Sequence, residues 1–95
     1  MKYVELGKTG LKCAEVSFGG IPIQRSDAAN TMAVVDALEK YGMNYIDTAR
    51  GYTVSEEYLG AALKGRREKF ILATKSMARD YGTMKRDVET SLHNL

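Results

Sequence analysis

Three side chains able to give, hold or steer a proton stand at ordered intervals in this chain: Asp47, Tyr52 and Lys75. Asp47 closes the stretch Asn44-Tyr45-Ile46, Tyr52 comes five residues later, and Lys75 closes Phe70-Ile71-Leu72-Ala73-Thr74. A free phenol titrates near ~10, so giving a proton at neutral pH takes help. A neighbouring ammonium supplies it by favouring the phenolate, and bringing the phenol's pKa down to about 7 takes about 4 kcal/mol of differential stabilisation. A solvated surface pair falls short of that; a partly dry site reaches it. An aspartate beside the lysine would hold it and balance its charge. The pattern is an acid, a tuner and an anchor. Each member also has a plainer reading: Asp47 as a cap for the following loop or helix, Tyr52 as a surface aromatic, Lys75 as a solvated lysine.

For these groups to meet, something must carry them to one place. In βα architectures the residues at strand C-termini face a common mouth. Residues 44–49 and 70–74 read as strands, the second covered on both faces because it is almost continuously apolar. Val16 to Ile21 reads as an earlier strand. Its glycines, Gly19 and Gly20, let something approach the backbone closely, or form a plain turn before Pro22. A helix capped by Ser26 or Asp27 carries Ala28, Met32, Val34, Val35, Leu38 and Tyr41 at helical spacing and stops at Gly42. Thr53-x-x-Glu56 reads as a capping box opening a second helix. Tyr58, Leu59, Ala62 and Leu63 form its inner face, and Gly65 ends it. Arg66-Arg67-Glu68-Lys69 reads as a solvated charged turn. Met84, Val88, Leu92 and Leu95 form the apolar stripe of a third helix, with no stop residue after it. Ahead of these, Tyr3 to Leu6 and Leu11 to Cys13 flank Gly7-Lys8-Thr9-Gly10 as a hairpin. Gly7-Lys8-Thr9 is not a phosphate loop, since Lys2 stands where that motif needs its first glycine.

The order is therefore hairpin, then βαβαβα, an α/β chain with right-handed crossovers and a parallel sheet. Three parallel strands leave two open edges, and closing a barrel abolishes edges. A (β/α)8 barrel takes about 250 residues. The expected fold is the N-terminal hairpin plus the first three βα units of such a TIM barrel, truncated, with residues 1–95 as a single incomplete domain.

Composition narrows the class. The chain has 95 residues, 44% hydrophobic and 27% charged, ordinary values for a soluble protein. A net charge of +2 is too small to argue for nucleic acid or a membrane as partner. One cysteine, Cys13, excludes an internal disulfide framework and a four-thiolate metal site, and reads as a buried or semi-buried thiol in a reducing compartment. The start of the chain is polar with no apolar h-region, and no apolar run reaches the ~18 residues of a membrane span. The cytoplasm is the expected compartment.

At this point the residues support a family name. The chain resembles the N-terminal part of the aldo-keto reductases over essentially its whole length. The resemblance runs through Leu6-Gly7-Lys8-Thr9-Gly10-Leu11, Phe18-Gly19-Gly20-Ile21, the segment Asn44 to Tyr52 with Ser55-Glu56, and Ala73-Thr74-Lys75. It implies a (β/α)8 barrel that binds NADP(H) in extended form without a Rossmann fingerprint, and a small carbonyl substrate. By the same resemblance Tyr52 would be the general acid that protonates the carbonyl oxygen. Lys75 would tune it, and Asp47 would pair with Lys75 and lie near the nicotinamide ribose. Gly19, Gly20 and Ile21 match the first-strand turn that borders the nicotinamide; Ser17 stands where many members have glycine. Phe18-Gly19-Gly20-Ile21-Pro22-Ile23-Gln24 resembles a bacterial or archaeal subgroup that often carries a ferredoxin-like iron–sulfur domain at its C-terminus, whose clusters would lie outside these residues. The family's catalytic histidine ends the fourth strand. His93 falls within the helical run before that strand and reads as a helix-surface residue.

The reductase reading therefore concerns a parent protein, with this segment alone expected to be inactive. Two other readings compete with it. A chain truly this short would be non-catalytic and would self-associate or bind a partner through its open sheet edges. Alternatively Lys75 would form a Schiff base with a carbonyl substrate.

Overall fold

The computed structural model describes residues 1–95, and all of them fall into one α/β arrangement. Strands β1 (Tyr3–Glu5) and β2 (Lys12–Ala14) form the expected antiparallel hairpin, with Tyr3 opposite Ala14 and Glu5 opposite Lys12. Gly7 and Gly10 turn it in the left-handed region, at φ 56° and 78°, where a Cβ would be strained. Asn44 fastens the hairpin to the rest of the molecule. Its amide accepts from the Ala14 backbone at 2.8 Å and donates to the Lys12 carbonyl at 2.9 Å.

Strands β3 (Phe18–Gly19), β4 (Tyr45–Asp47) and β5 (Ile71–Ala73) make a parallel sheet in that order. Register sets Gly19 beside Asp47 and Asp47 beside Ala73. Three strand C-termini therefore finish level, on one rim. Helices α1 (Ala28–Tyr41), α2 (Ser55–Ala62) and α3 (Tyr81–Asn94) complete the chain. Asp27 caps α1 by accepting from the Asn30 backbone at 2.7 Å, and Gly42 stops it at φ 74°. Asp80 caps α3 in the same way, accepting from Thr83 at 2.8 Å. The core is Ile23, Val35, Leu38, Ile46, Leu59, Ala62, Leu63 and Phe70, packed between the sheet and the helices. Cys13 is buried as a free thiol.

Several expectations need correcting. The earlier strand is two residues long rather than six, because Pro22, which has no N–H to give a ladder, opens a 3-10 turn over Ile21–Arg25. On α1, Met32, Tyr41 and Ala28 face out, and Thr31 takes the inner position with Val35 and Leu38. Thr31 can do so because its hydroxyl donates to the Asp27 carbonyl at 2.7 Å. The charged turn at 66–69 is organised rather than merely solvated. Arg66 donates to Asp36 at 2.7 Å and Glu39 at 3.1 Å, and Lys69 donates to Glu39 at 2.7 Å.

The largest departure concerns the C-terminal third. β5 is half-buried, not covered on both faces, because it is the edge strand of the sheet. Of the α3 stripe only Leu95 packs against the core; Met84, Val88 and Leu92 are exposed. With Leu72 and Leu95 they line an open groove of about 710 Å³ between β5 and α3. The rest of the docking of α3 is polar. Ser91 is buried against α2, and Gly60 of α2 lets the backbone at Asn94 come so close that a Cβ there would collide with its carbonyl.

Candidate active site

The rim of the parallel sheet gathers the three proton-handling residues. Lys75 follows β5 and donates to the Asp47 carboxylate at 2.8 Å and to the Thr48 carbonyl at 3.0 Å. Its ammonium lies 4.8 Å from the centre of the Tyr52 ring. Asp47 and Lys75 are about half exposed, at 45% and 51%, so this pair is open to solvent. The hydrogen bond from Lys75 to Asp47, and then the nearness of Tyr52, push the lysine above its ordinary value. It is a firmly held cation.

The loop after β4 carries Tyr52 to this place. The strand pairing continues past its ends, with Thr48 donating to the Ala73 carbonyl at 2.8 Å and Arg50 to the Lys75 carbonyl at 2.9 Å. The chain then turns, Tyr52 donating to the Ala49 carbonyl at 3.1 Å and Ser55 to the Tyr52 carbonyl at 2.9 Å. Thr53 is held at φ 46°, a conformation a β-branched residue adopts only where its surroundings impose it. Its hydroxyl donates to the Gln24 side chain at 3.3 Å, tying this turn to the one after β3.

Gly19, Gly20 and Ile21 border the same rim, with distinct surroundings. A Cβ on Gly19 would meet nothing within 4 Å, so this backbone is open above the Asp47 register position. Gly20 is different. A Cβ there would sit 2.9 Å from both the Asp47 carbonyl and the Ser55 hydroxyl. Its N–H donates to Asp47 at 2.7 Å and its carbonyl accepts from Ser55 at 2.9 Å. What approaches Gly20 closely is the protein itself, through the Asp47 backbone and the Ser55 and Thr48 side chains. Ile21 is 56% exposed. His93 lies on the exposed side of α3.

Glu56 is the residue that sequence reasoning misplaced. The capping box does not form: α2 is capped at Val54 with no side-chain hydrogen bond. Glu56 is instead fully buried. Its carboxylate accepts from Thr74 at 2.6 Å, Ser91 at 2.6 Å and Asn94 at 3.3 Å, and forms an ion pair with Arg50. Burial by itself would raise the carboxyl; the donors Ser91, Thr74, Asn94 and Arg50 outweigh it and hold Glu56 below the usual carboxylate range. The signal was present in the spacing. Glu56 shares a helical face with Leu59 and Leu63, and a charge on an apolar face demands partners from elsewhere.

No group of three or more His, Cys, Asp or Glu side chains comes together to hold a metal ion. No helix is long and apolar enough to cross a membrane.

Comparison with known proteins gives a consistent picture. The family model for the aldo/keto reductase family matches residues 15–95. The uncharacterized oxidoreductase YqkF of Bacillus subtilis is 33% identical over 78 residues, covering 80% of this chain and 25% of that protein. L-galactose dehydrogenase of Arabidopsis thaliana is 39% identical over 79 residues, covering 74% of this chain and 25% of that protein. Among solved structures, a Pseudomonas aeruginosa protein assigned to the aldo-keto reductases superposes with a TM-score of 0.87 at 30% identity, covering 98% of this chain and 42% of that one. The chain thus spans about a quarter of the length of the curated relatives it matches.

Proposed function

The chain belongs to the aldo/keto reductase family, and from that premise we propose that it contributes the proton-delivery side of a carbonyl-reducing site. The observation that carries this reading is the convergence of Asp47, Lys75 and Tyr52 on one rim, with the ammonium at 2.8 Å from the carboxylate and 4.8 Å from the phenol ring centre. Tyr52 is the proton donor to a carbonyl oxygen. Lys75 is the cation that favours the phenolate left behind. Asp47 keeps that cation in place and balances its charge. NAD(P)H, when bound, supplies the hydride. The open backbone at Gly19 and the exposed Ile21, beside Asp47, suit a flat nicotinamide ring lying against the rim. Preference for NADP(H) belongs to the same proposal, as does a small aldehyde or ketone as substrate. The remaining contacts to the cofactor belong to the rest of a barrel.

The Schiff-base alternative for Lys75 finds no support in the geometry. A nucleophilic lysine must be neutral, and its deprotonation is usually eased by desolvation or a neighbouring cation. Lys75 has the opposite surroundings, a carboxylate partner that holds it charged.

The test is NAD(P)H oxidation against a panel of aldehydes and ketones, with the protein carrying this chain. Tyr52→Phe keeps the ring and removes the proton; a loss of about 10²–10⁴-fold in kcat is expected for a general acid. Full activity in that variant would overturn the assignment.

A further inference from the structure

Lys75 is flanked by two hydroxyl residues, and each is gripped from the helix side. Thr74 donates to Glu56 of α2 at 2.6 Å, and Ser76 donates to Asp87 of α3. Ser76 also accepts from the Ala78 backbone at 3.0 Å. In extended backbone, neighbouring side chains point to opposite faces. Pinning residues 74 and 76 toward the helices therefore leaves residue 75 to face the rim. Glu56 adds a second hold. It pairs with Arg50, whose backbone N–H donates to the Lys75 carbonyl at 2.9 Å. One buried carboxylate thus acts on both sides of the lysine.

We infer that Glu56 and Asp87 are positioning residues for Lys75, clamping Thr74 and Ser76 so that the ammonium is presented to Asp47 and Tyr52. This deepens the reductase reading and rests on it. Neither carboxylate touches the reacting atoms. They act on the orientation of the strand end, which a long flexible lysine side chain cannot set by itself. A misplacement of the order of 1 Å can cost about 10²-fold in rate, so the clamp matters to chemistry as well as to folding.

The experiment follows the ionisation of Lys75 by NMR of lysine labelled with ¹³C at Cε, its resonance assigned through Lys75→Arg. The groups facing the ammonium are Asp47 and Tyr52. In Asp47→Asn the midpoint of Lys75 should fall toward that of an ordinary lysine, with Tyr52 retaining the smaller part of the shift. Thr74→Val and Asp87→Ala should each move it part of the way, with native tyrosine and methyl resonances retained, and lower kcat about tenfold or more while KM for the carbonyl changes little. Both can be made without burying a new charge, so the test does not depend on Glu56→Gln folding. A Lys75 midpoint that stays at its native value in Thr74→Val and Asp87→Ala, while Asp47→Asn moves it, would overturn the clamp and leave the reductase reading standing. If Asp47→Asn also fails to move it, the pairing beneath the catalytic reading has failed, and the clamp goes with it.

Discussion

Asp47 and Glu56 are two carboxylates nine residues apart, and they are held in contrasting ways. Asp47 stands on the rim, 45% exposed, with one ammonium as its side-chain partner. Glu56 lies wholly out of water, with four side-chain partners drawn from three other segments. An exposed ion pair is screened and adds little to stability, but it leaves its groups free to meet a substrate. A buried carboxylate with every lone pair engaged offers nothing to a substrate, yet its loss strands each donor around it. The comparison separates two jobs that the same side-chain chemistry can do. On the proposed reading Asp47 holds the lysine beside the proton donor, and Glu56 holds the frame at the strand end.

The largest expected effect comes from breaking the buried member. Glu56→Ala leaves Arg50, Thr74, Ser91 and Asn94 without their acceptor, and should cost about 3 kcal/mol, the lower end for a buried pair because Arg50 keeps a route to water. Urea denaturation followed by circular dichroism measures this. A loss under about 1 kcal/mol would mean that the network is no stronger than a surface contact.

Asp47→Asn should do the reverse. Carbonyl reduction by the protein carrying this chain should fall about ten- to a hundredfold through a misplaced Lys75. The urea midpoint should not move measurably. A clear loss of stability would erase the contrast between the two carboxylates.

Smaller effects appear in the pH dependence, with opposite signs. Glu56 is held below the usual carboxylate range, so the unfolded chain binds its proton more readily than the folded one. Its contribution is present above the unfolded value of ~4.3 and is lost as pH falls through the folded value. Glu56→Gln should therefore flatten the acid limb of the stability curve. Lys75 is raised, so its contribution is present below the unfolded value of ~10.4 and is lost as pH rises through the folded one. On an exposed side chain that alkaline loss should be the smallest change of the series, visible as a difference between the native chain and Lys75→Met above pH 10.

Much of the architecture was legible along the chain. Asp27 and Gly42 bound α1 as cap and stop, the hairpin turns at Gly7 and Gly10, and β4 ends on Asp47. These are local choices, made by backbone preference and the hydrogen bonds of a few neighbouring residues. The misreadings share one cause. Thr53 and Glu56 have the spacing of a capping box, but Glu56 finds stronger partners just after β5 and on α3, dozens of residues away in some cases. Thr31 fills a core position that Met32 was expected to take, because a short-range bond to Asp27 satisfies its hydroxyl. The stripe Met84, Val88 and Leu92 has helical spacing, yet α3 is docked by Ser91 and Gly60.

The sequence by itself determined the elements, their order, the strand ends that carry Asp47 and Lys75, and the family these motifs belong to. The elements and strand ends follow from periodicity, caps and turn residues, which are properties of short stretches of chain, and the family follows from the resemblance of these motifs to those of known members. Only the tertiary structure decided that Gly20 is closed by Asp47 and Ser55 while Gly19 stays open, and that Glu56 grips the far side of Lys75. These depend on which partners arrive from distant segments. A buried polar group takes whichever donors the fold brings within reach, and no local pattern names them in advance.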